Sequence, residues 1–375
     1  MRAAIVTTAL GVVLGIARAG GAEPMFLSKQ YPACSSCHYS PTGGGLLTDY
    51  GRSLSHVELS TFRAADPEEA ERLDGEQAFL FGALGDSAGD LRLGIALRPS
   101  HLEFRFSGVS SDRNLLMQAD LQAAYRRGGL TAYASVGRQV EGSDASLGSY
   151  EHWLGYQVEN GFGVRAGRFL PAYGVHFADH TSFNRDGLEL GTDDQVYGVE
   201  VSRTGERSLV QVSVSPGRAE SLLDDDGTGA FFSSARVQLD LSPRAVLVGS
   251  AAFRAASDVR PRSGLAGLAL GVAPVSGLSV WSQLDASMTE GPLRQTAWIF
   301  VNETAYEVYP GIWARISPQY RGDDGSGAGD IGRLVLGASW LPRTHWNVNL
   351  SYFRDRNRLF GISTSTFLSQ VHLFL

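Results

Sequence analysis

From about residue 91 to the last residue, apolar and polar side chains alternate with a period of two. They do so in segments of roughly ten residues, the length and pattern of strands in a membrane-spanning β-barrel. In residues 311–321, Ile312, Ala314, Ile316, Pro318 and Tyr320 share one face, and Trp313, Arg315, Ser317, Gln319 and Arg321 share the other. Residues 331–341 repeat this, with Leu334, Leu336, Ala338 and Trp340 opposed to Arg333, Val335, Gly337 and Ser339. Residues 344–353 do so again, with Trp346, Val348, Leu350 and Tyr352 opposed to His345, Asn347, Asn349 and Ser351. One face suits lipid, with Trp and Tyr near the strand ends as an interfacial girdle, and the other suits water. Sixteen such segments are predicted, starting near 93, 115, 130, 150, 162, 195, 207, 230, 245, 263, 277, 294, 311, 331, 344 and 364. The first is interrupted by Pro99, which cannot donate to a ladder.

The connections alternate in length. Short ones fall at 126–129, 159–161, 204–206, 242–244, 310 and 342–343; longer polar ones fall at 108–114, 141–149, 170–194, 216–229, 321–330 and 354–363. Short periplasmic turns and long external loops are the habit of outer-membrane barrels, and an even strand number puts both barrel ends in the periplasm. The rival is a soluble sandwich or double-wound sheet, which would bury its apolar face as a core and alternate its loops less regularly. The last segment ends on Phe374-Leu375, where barrels usually finish on an aromatic residue.

The N-terminal part reads differently. Arg2 followed by an apolar run over residues 3–16, with cleavage contexts at Ala17-Arg18-Ala19 and Gly20-Gly21-Ala22, predicts a secretion signal over residues 1–22; the alternative is a retained anchor. Residues 23–90 then form a small segment of their own, and residues 91–375 the barrel. Ala64 to Arg72 is the best helix candidate, with Asp66 as N-cap and Pro67 at the first helical position. The chain is acidic, net −7, and loses two arginines with its signal, which argues against nucleic acid as a partner.

The only two cysteines stand in Cys34-Ser35-Ser36-Cys37-His38. C-x-x-C-H is the attachment signature of c-type haem, in which two thioethers hold the porphyrin and the adjacent His is an axial ligand. The other readings are a chance match or a dithiol redox motif; a Cys34–Cys37 disulfide would close a very small loop. The expected cofactor is one covalent haem c on Cys34 and Cys37, with His38 as proximal ligand. His56 and Met25 are the only other His or Met of this segment, and they are the candidate distal ligands. Ser40-Pro41-Thr42-Gly43-Gly44-Gly45 lets the backbone turn tightly, and Leu46, Leu47 and Tyr50 are placed to pack on a porphyrin face.

Two further clusters stand out. His176, Asp179 and His180 lie in the longest loop, where imidazole and carboxylate suit a first-row metal; the plainer reading is a polar loop folded into the lumen as a constriction. Asp224-Asp225-Asp226-Gly227 resembles the start of a calcium loop, but the twelfth position is Ala235, and a solvated turn is expected. Arg105, Arg236, Arg315 and Arg333 face inward and are expected to pair with lumenal carboxylates or haem propionates.

The combination of signal, one C-x-x-C-H at Cys34–Cys37–His38 and about sixteen strands resembles the fused monohaem cytochrome–porin proteins of bacterial outer membranes. The resemblance implies haem c at Cys34 and Cys37 with His38 as ligand. It also implies an electron conduit between an extracellular donor or acceptor, Fe(II) among the candidates, and a periplasmic electron carrier. Because the apolar band is roughly 25 Å tall, one haem at the periplasmic face cannot reach across it. The small segment is therefore expected to plug the lumen. The alternatives are a solute porin with a haem-bearing gate, and a barrel that anchors a periplasmic cytochrome.

Overall fold

The computed structural model describes residues 24–31, 34–64, 66, 68–69, 72, 90–106, 108–141, 144–177, 179, 181–191, 194–217, 231–256, 261–290, 295–324, 330–359 and 361–374. The expected signal, His180 and the aspartates at 224–226 lie outside the described residues.

One antiparallel sheet closes on itself. Its strands are β1 (Leu91–Phe106), β2 (Val109–Arg127), β3 (Leu130–Glu141), β4 (Asp144–Gly148), β5 (His152–Gln157), β6 (Phe162–Phe169), β7 (Val196–Thr204), β8 (Ser208–Gly217), β9 (Phe232–Ser242), β10 (Ala245–Arg254), β11 (Arg262–Val275), β12 (Leu278–Glu290), β13 (Gln295–Tyr309), β14 (Ile312–Asp323), β15 (Ile331–Trp340), β16 (Trp346–Asn357) and β17 (Ser363–Phe374). Apart from β4 and β5, each pairs with its neighbour in sequence, and β17 pairs with β1 from Ala96↔Phe374 to Phe106↔Thr364, which closes the barrel. Both β4 and β5 pair with β3, so they are two halves of one wall position, and the barrel has sixteen. Closure leaves no sheet edge, which is what lets strands sit in lipid.

The period-two reading holds along the wall. Trp313, Ser317 and Gln319 are buried, while Ala314, Ile316 and Pro318 between them are exposed. Outward positions carry Leu121, Leu154, Leu268 and Leu284, with Trp298, Tyr309, Trp340 and Trp346 nearer the strand ends. Pro99 is accommodated as expected of a strand proline: the β1–β2 register slips between Arg98 and Pro99.

Three expected loops are corrected. Residues 109–114 continue β2, paired with β1 up to Phe106↔Val109, and residues 144–148 extend the wall as β4 against Gly137–Glu141. Residues 354–357 likewise belong to β16, and Asn357 N donates to Ile362 O at 2.9 Å just before β17. All three stretches are polar, and polarity marks the end of an apolar band without ending a hydrogen-bonded ladder, which continues into water.

The N-terminal segment packs on the inner wall. It contains a 3-10 turn (Pro24–Lys29), a single helical turn α1 (Cys34–Cys37), a short helix α2 (Asp49–Leu54) and a π turn (Ser55–Leu59). Trp281 Nε1 of β12 donates to Pro24 O at 2.9 Å, and Lys29 pairs with Glu307 of β13 at 2.8 Å. At the short-turn rim, Thr61 N donates to Leu341 O and Thr61 Oγ1 to Pro310 O. The described part of the expected 64–72 helix keeps its cap, with Asp66 Oδ1 accepting from Glu69 N at 2.8 Å.

Residues 170–191 also turn inward. Tyr173 OH donates to Asp285 Oδ1, Val175 N to Gln283 Oε1 and Phe183 N to Gln319 Oε1, so the loop is fastened to β12 and β14. Arg333 Nη1 of β15 donates to Thr181 O at 2.7 Å. Leu27, Tyr39 and Leu46 of the segment, Tyr173, Val175 and Phe183 of the loop, and Tyr133, Trp153 and Trp281 of the wall form one apolar cluster. The interior read from the pattern as facing water is therefore filled, in this region, by the protein itself.

Candidate functional site: the cysteine–histidine turn inside the barrel

Cys34 and Cys37 are three residues apart in one helical turn, so both thiols leave the same side of it, and neither is in a disulfide. His38 N donates to Cys34 O at 2.9 Å and ends that turn. The chain then runs back on itself: His38 bridges Leu47, Tyr39 N donates to Leu46 O at 3.1 Å, and Thr48 N donates to Cys37 O at 2.8 Å. Thr48 also caps α2, accepting from Gly51 N, while its hydroxyl donates to Ser36 O.

The reversal is built on Gly43, Gly44 and Gly45, with φ of 84°, 75° and 65°. Three successive left-handed residues favour glycine strongly. A Cβ on Gly43 would stand 3.3 Å from Cys34 Sγ, and one on Gly45 would run into Tyr133 OH of β3. The glycines therefore serve two close approaches, to a cysteine sulfur and to the wall.

Residue by residue, the expectations fare as follows. His38 is half-buried; the Gly44 and Gly45 carbonyls face its ring, yet none closes a hydrogen bond on the buried Nδ1. Burial pushes its pKa down to about 4, so the ring is neutral and keeps a lone pair for a metal. Burial pushes the Cys37 thiol up to about 11, so that thiol is protonated at neutral pH. Met25 is buried in a cluster with Leu54, Leu59 and Trp313, against which Cys37 packs. His56 is buried in the π turn, and its carbonyl accepts from Ala64 N near the rim. Leu46 packs toward Tyr39 and Tyr133, while Tyr50 is exposed.

Of the expected His176, Asp179 and His180 set, His176 and Asp179 are described, and each has local partners of its own. The Thr42 and Tyr173 carbonyls face His176, while burial and the Arg185 and Arg236 cations hold its pKa well below the ordinary value. Asp179 Oδ1 accepts from Thr181 N and Oγ1, a local turn. Among the described residues no group of three or more His, Cys, Asp and Glu could hold a metal ion.

Of the four arginines, Arg333 makes a bidentate pair with Asp355, at 2.8 Å on both arms, and Arg315 faces Glu303 at 3.8 Å. Arg236 donates to Gly174 O and Gln238 and lies within electrostatic reach of Cys34. Arg105 pairs with Glu103 at the exposed far end of β1, outside the filled interior.

The residues present fit a c-type haem: two thiols outside any disulfide on one side of a turn, a neutral His next to them, a glycine at 43 where a side chain would crowd the Cys34 sulfur, and an orphaned polar atom on the His. Sequence reasoning missed the wall residues that face this turn, chiefly Tyr133, Trp313, Arg98 and His372. An inward position in a period-two pattern looks alike whether it meets water or protein.

No family model matches the chain, and no curated protein matches it. Solved structures do. The outer-membrane protein OmpT of Vibrio cholerae superposes with a TM-score of 0.58 at 9% identity, over 77% of this chain and 99% of that one. The anion-selective porin of Comamonas acidovorans gives 0.56 at 11% identity, over 76% and 99%. The outer-membrane channel DcaP of Acinetobacter baumannii gives 0.54 at 11%, over 76% and 97%. At such identities the likeness is one of fold: a closed, antiparallel sixteen-stranded barrel resembling outer-membrane porins.

Proposed function

We propose that the protein sits in a bacterial outer membrane and carries electrons through a barrel closed by its own N-terminal segment. In this reading that segment enters from the periplasmic, short-turn side and holds one haem c. The observation that supports it is the place of Cys34-Ser35-Ser36-Cys37-His38. The turn lies inside the barrel, with Gly45 against Tyr133 on one side and Cys37 against the Met25–Trp313 cluster on the other. A cytochrome merely anchored by a barrel has no need of such contacts.

Cys34 and Cys37 would each add S–H across a vinyl group, forming a thioether with no leaving group. His38 would give the proximal nitrogen. Bound there, haem supplies a one-electron iron couple. The chain's own part is to hold that group in the lumen, keep water from it with the cluster around Tyr39, Leu46 and Tyr133, and block solute flow. An external donor, Fe(II) being the first to test, would be served from the loop side, and a periplasmic carrier from the rim around Arg92 and Thr61.

The test is electron flow across proteoliposome membranes holding an enclosed acceptor dye, with Fe(II) outside. Holoprotein should reduce the dye, and the Cys34→Ala/Cys37→Ala protein should not. Undiminished transfer by the double variant would sink the proposal. The likeness to channel-forming porins favours a second reading, a solute porin with a redox gate. Planar-bilayer conductance separates them, since a steadily open pore in the holoprotein supports the porin and a closed one the conduit.

A further inference from the structure

On the stretch of wall formed by β16, β17, β1 and β2, three strands carry buried polar atoms that nothing in the fold satisfies. His372 Nε2 on β17, Asn347 Oδ1 on β16 and Asp120 Oδ1 on β2 have no hydrogen-bond partner. Leaving such atoms unpaired costs about 1–3 kcal/mol each, so a cluster of them marks something that belongs there. Asn347 and His372 stand directly opposite in the β16–β17 register. Arg98 Nη2 of β1 touches His372 Nδ1 at 3.4 Å and faces Asp120 on its other side. The His38 and His372 imidazoles lie within electrostatic reach of each other.

We infer that His372, on the barrel wall, supplies the second axial nitrogen to a haem held by His38, so that the iron ties the N-terminal segment to the barrel. The inference rests on the haem reading above. One change would then satisfy all three orphans. With iron on Nε2, the ring proton belongs on Nδ1, where Asn347 Oδ1 across the strand pair is an acceptor within reach. Arg98, no longer able to donate to that nitrogen, has Asp120 Oδ1 to turn to. Four of the other histidines are worse placed. His56 sits at the rim-fastened end of the segment, and His345 gives its Nδ1 to Phe374 O. His101 is held by Asn114 and His152 by Ser149.

The experiment reads the iron's ligands in purified holoprotein. Near-infrared magnetic circular dichroism of the unaltered protein should give a bis-imidazole signature, and His56→Ala should leave it unchanged. His372→Ala should become high-spin, and added imidazole should restore the low-spin spectrum. His372→Met, which keeps most of the side-chain volume, should give a His/Met signature instead. A His/Met signature in the unaltered protein, its loss in His56→Ala, or a low-spin His372→Ala protein without imidazole would each overturn the inference. Absence of covalent haem from the unaltered protein on a denaturing gel would instead overturn the haem reading.

Discussion

Asp49 at the start of α2 accepts both arms of the Arg92 guanidinium at the start of β1, Nε to Oδ1 at 2.9 Å and Nη2 to Oδ2 at 3.1 Å. This pair ties the segment that carries the cysteines to the strand that opens the barrel. Arg52 adds a third contact to the same carboxylate. Arg92, with Arg52, holds the Asp49 pKa below its usual value. A depressed carboxyl stabilises the folded state above its unfolded pKa, and that contribution is lost as pH falls through the folded value. Protease access to the N-terminal segment should therefore increase on acidification below about pH 4, the ordinary carboxylate range. Arg92→Ala should show the higher access already at neutral pH. Asp49 is largely exposed, so the effect should shrink in high salt. Limited proteolysis across pH and salt checks this.

Gly45 and Gly44 separate backbone strain from collision. Both have positive φ, but a Cβ on Gly44 meets nothing within 4 Å, whereas one on Gly45 meets Tyr133 OH. Gly44→Ala should cost about 1–2 kcal/mol, the usual penalty of the left-handed region. Gly45→Ala should cost clearly more and lower the yield of haem-loaded protein, measured by haem absorbance per barrel. Equal effects of the two variants would contradict the packing described.

The inward loop hangs on a few hydrogen bonds. Tyr173→Phe removes the one to Asp285, and Gln283→Ala removes the acceptor of Val175 N. Each should weaken the loop by about 1 kcal/mol, and together they should raise ion conductance through the barrel if the loop closes the lumen. Unchanged conductance in the double variant would place the block in the N-terminal segment alone.

Arg165 on β6 and Glu200 on β7 form a buried pair at 3.0 Å, and Ser213 also donates to Glu200. Arg165→Ala leaves a buried carboxylate uncompensated and should cost about 3–5 kcal/mol, read as a lower temperature for loss of the heat-modifiable gel band. Arg165→Ala/Glu200→Gln should recover much of that loss, because the stranded charge is gone.

Trp281 joins wall to segment through its Nε1 bond to Pro24 O. Trp281→Phe keeps most of the buried ring and drops that bond. The barrel should keep its stability within about 1 kcal/mol while residues near Pro24 become more open to proteolysis.

The sequence by itself determined the wall. Period-two alternation placed nearly every strand start within about two residues, because a strand in lipid must present apolar side chains on every second position. Where it failed, at residues 109–114 and 144–148, strands continued through polar sequence beyond the apolar band. The cysteine–histidine motif was legible because its chemistry is local: three side chains within five residues. What fills the lumen was decided only by tertiary structure. Trp281 and Pro24 are 257 residues apart, and Phe183 and Gln319 are 136 apart. An inward polar residue such as Asn347 or His372 carries the same alternation signal whether it faces water, a loop or a cofactor. Only the closed barrel, by bringing β17 beside β1 and so His372 beside Arg98, distinguishes one such position from another.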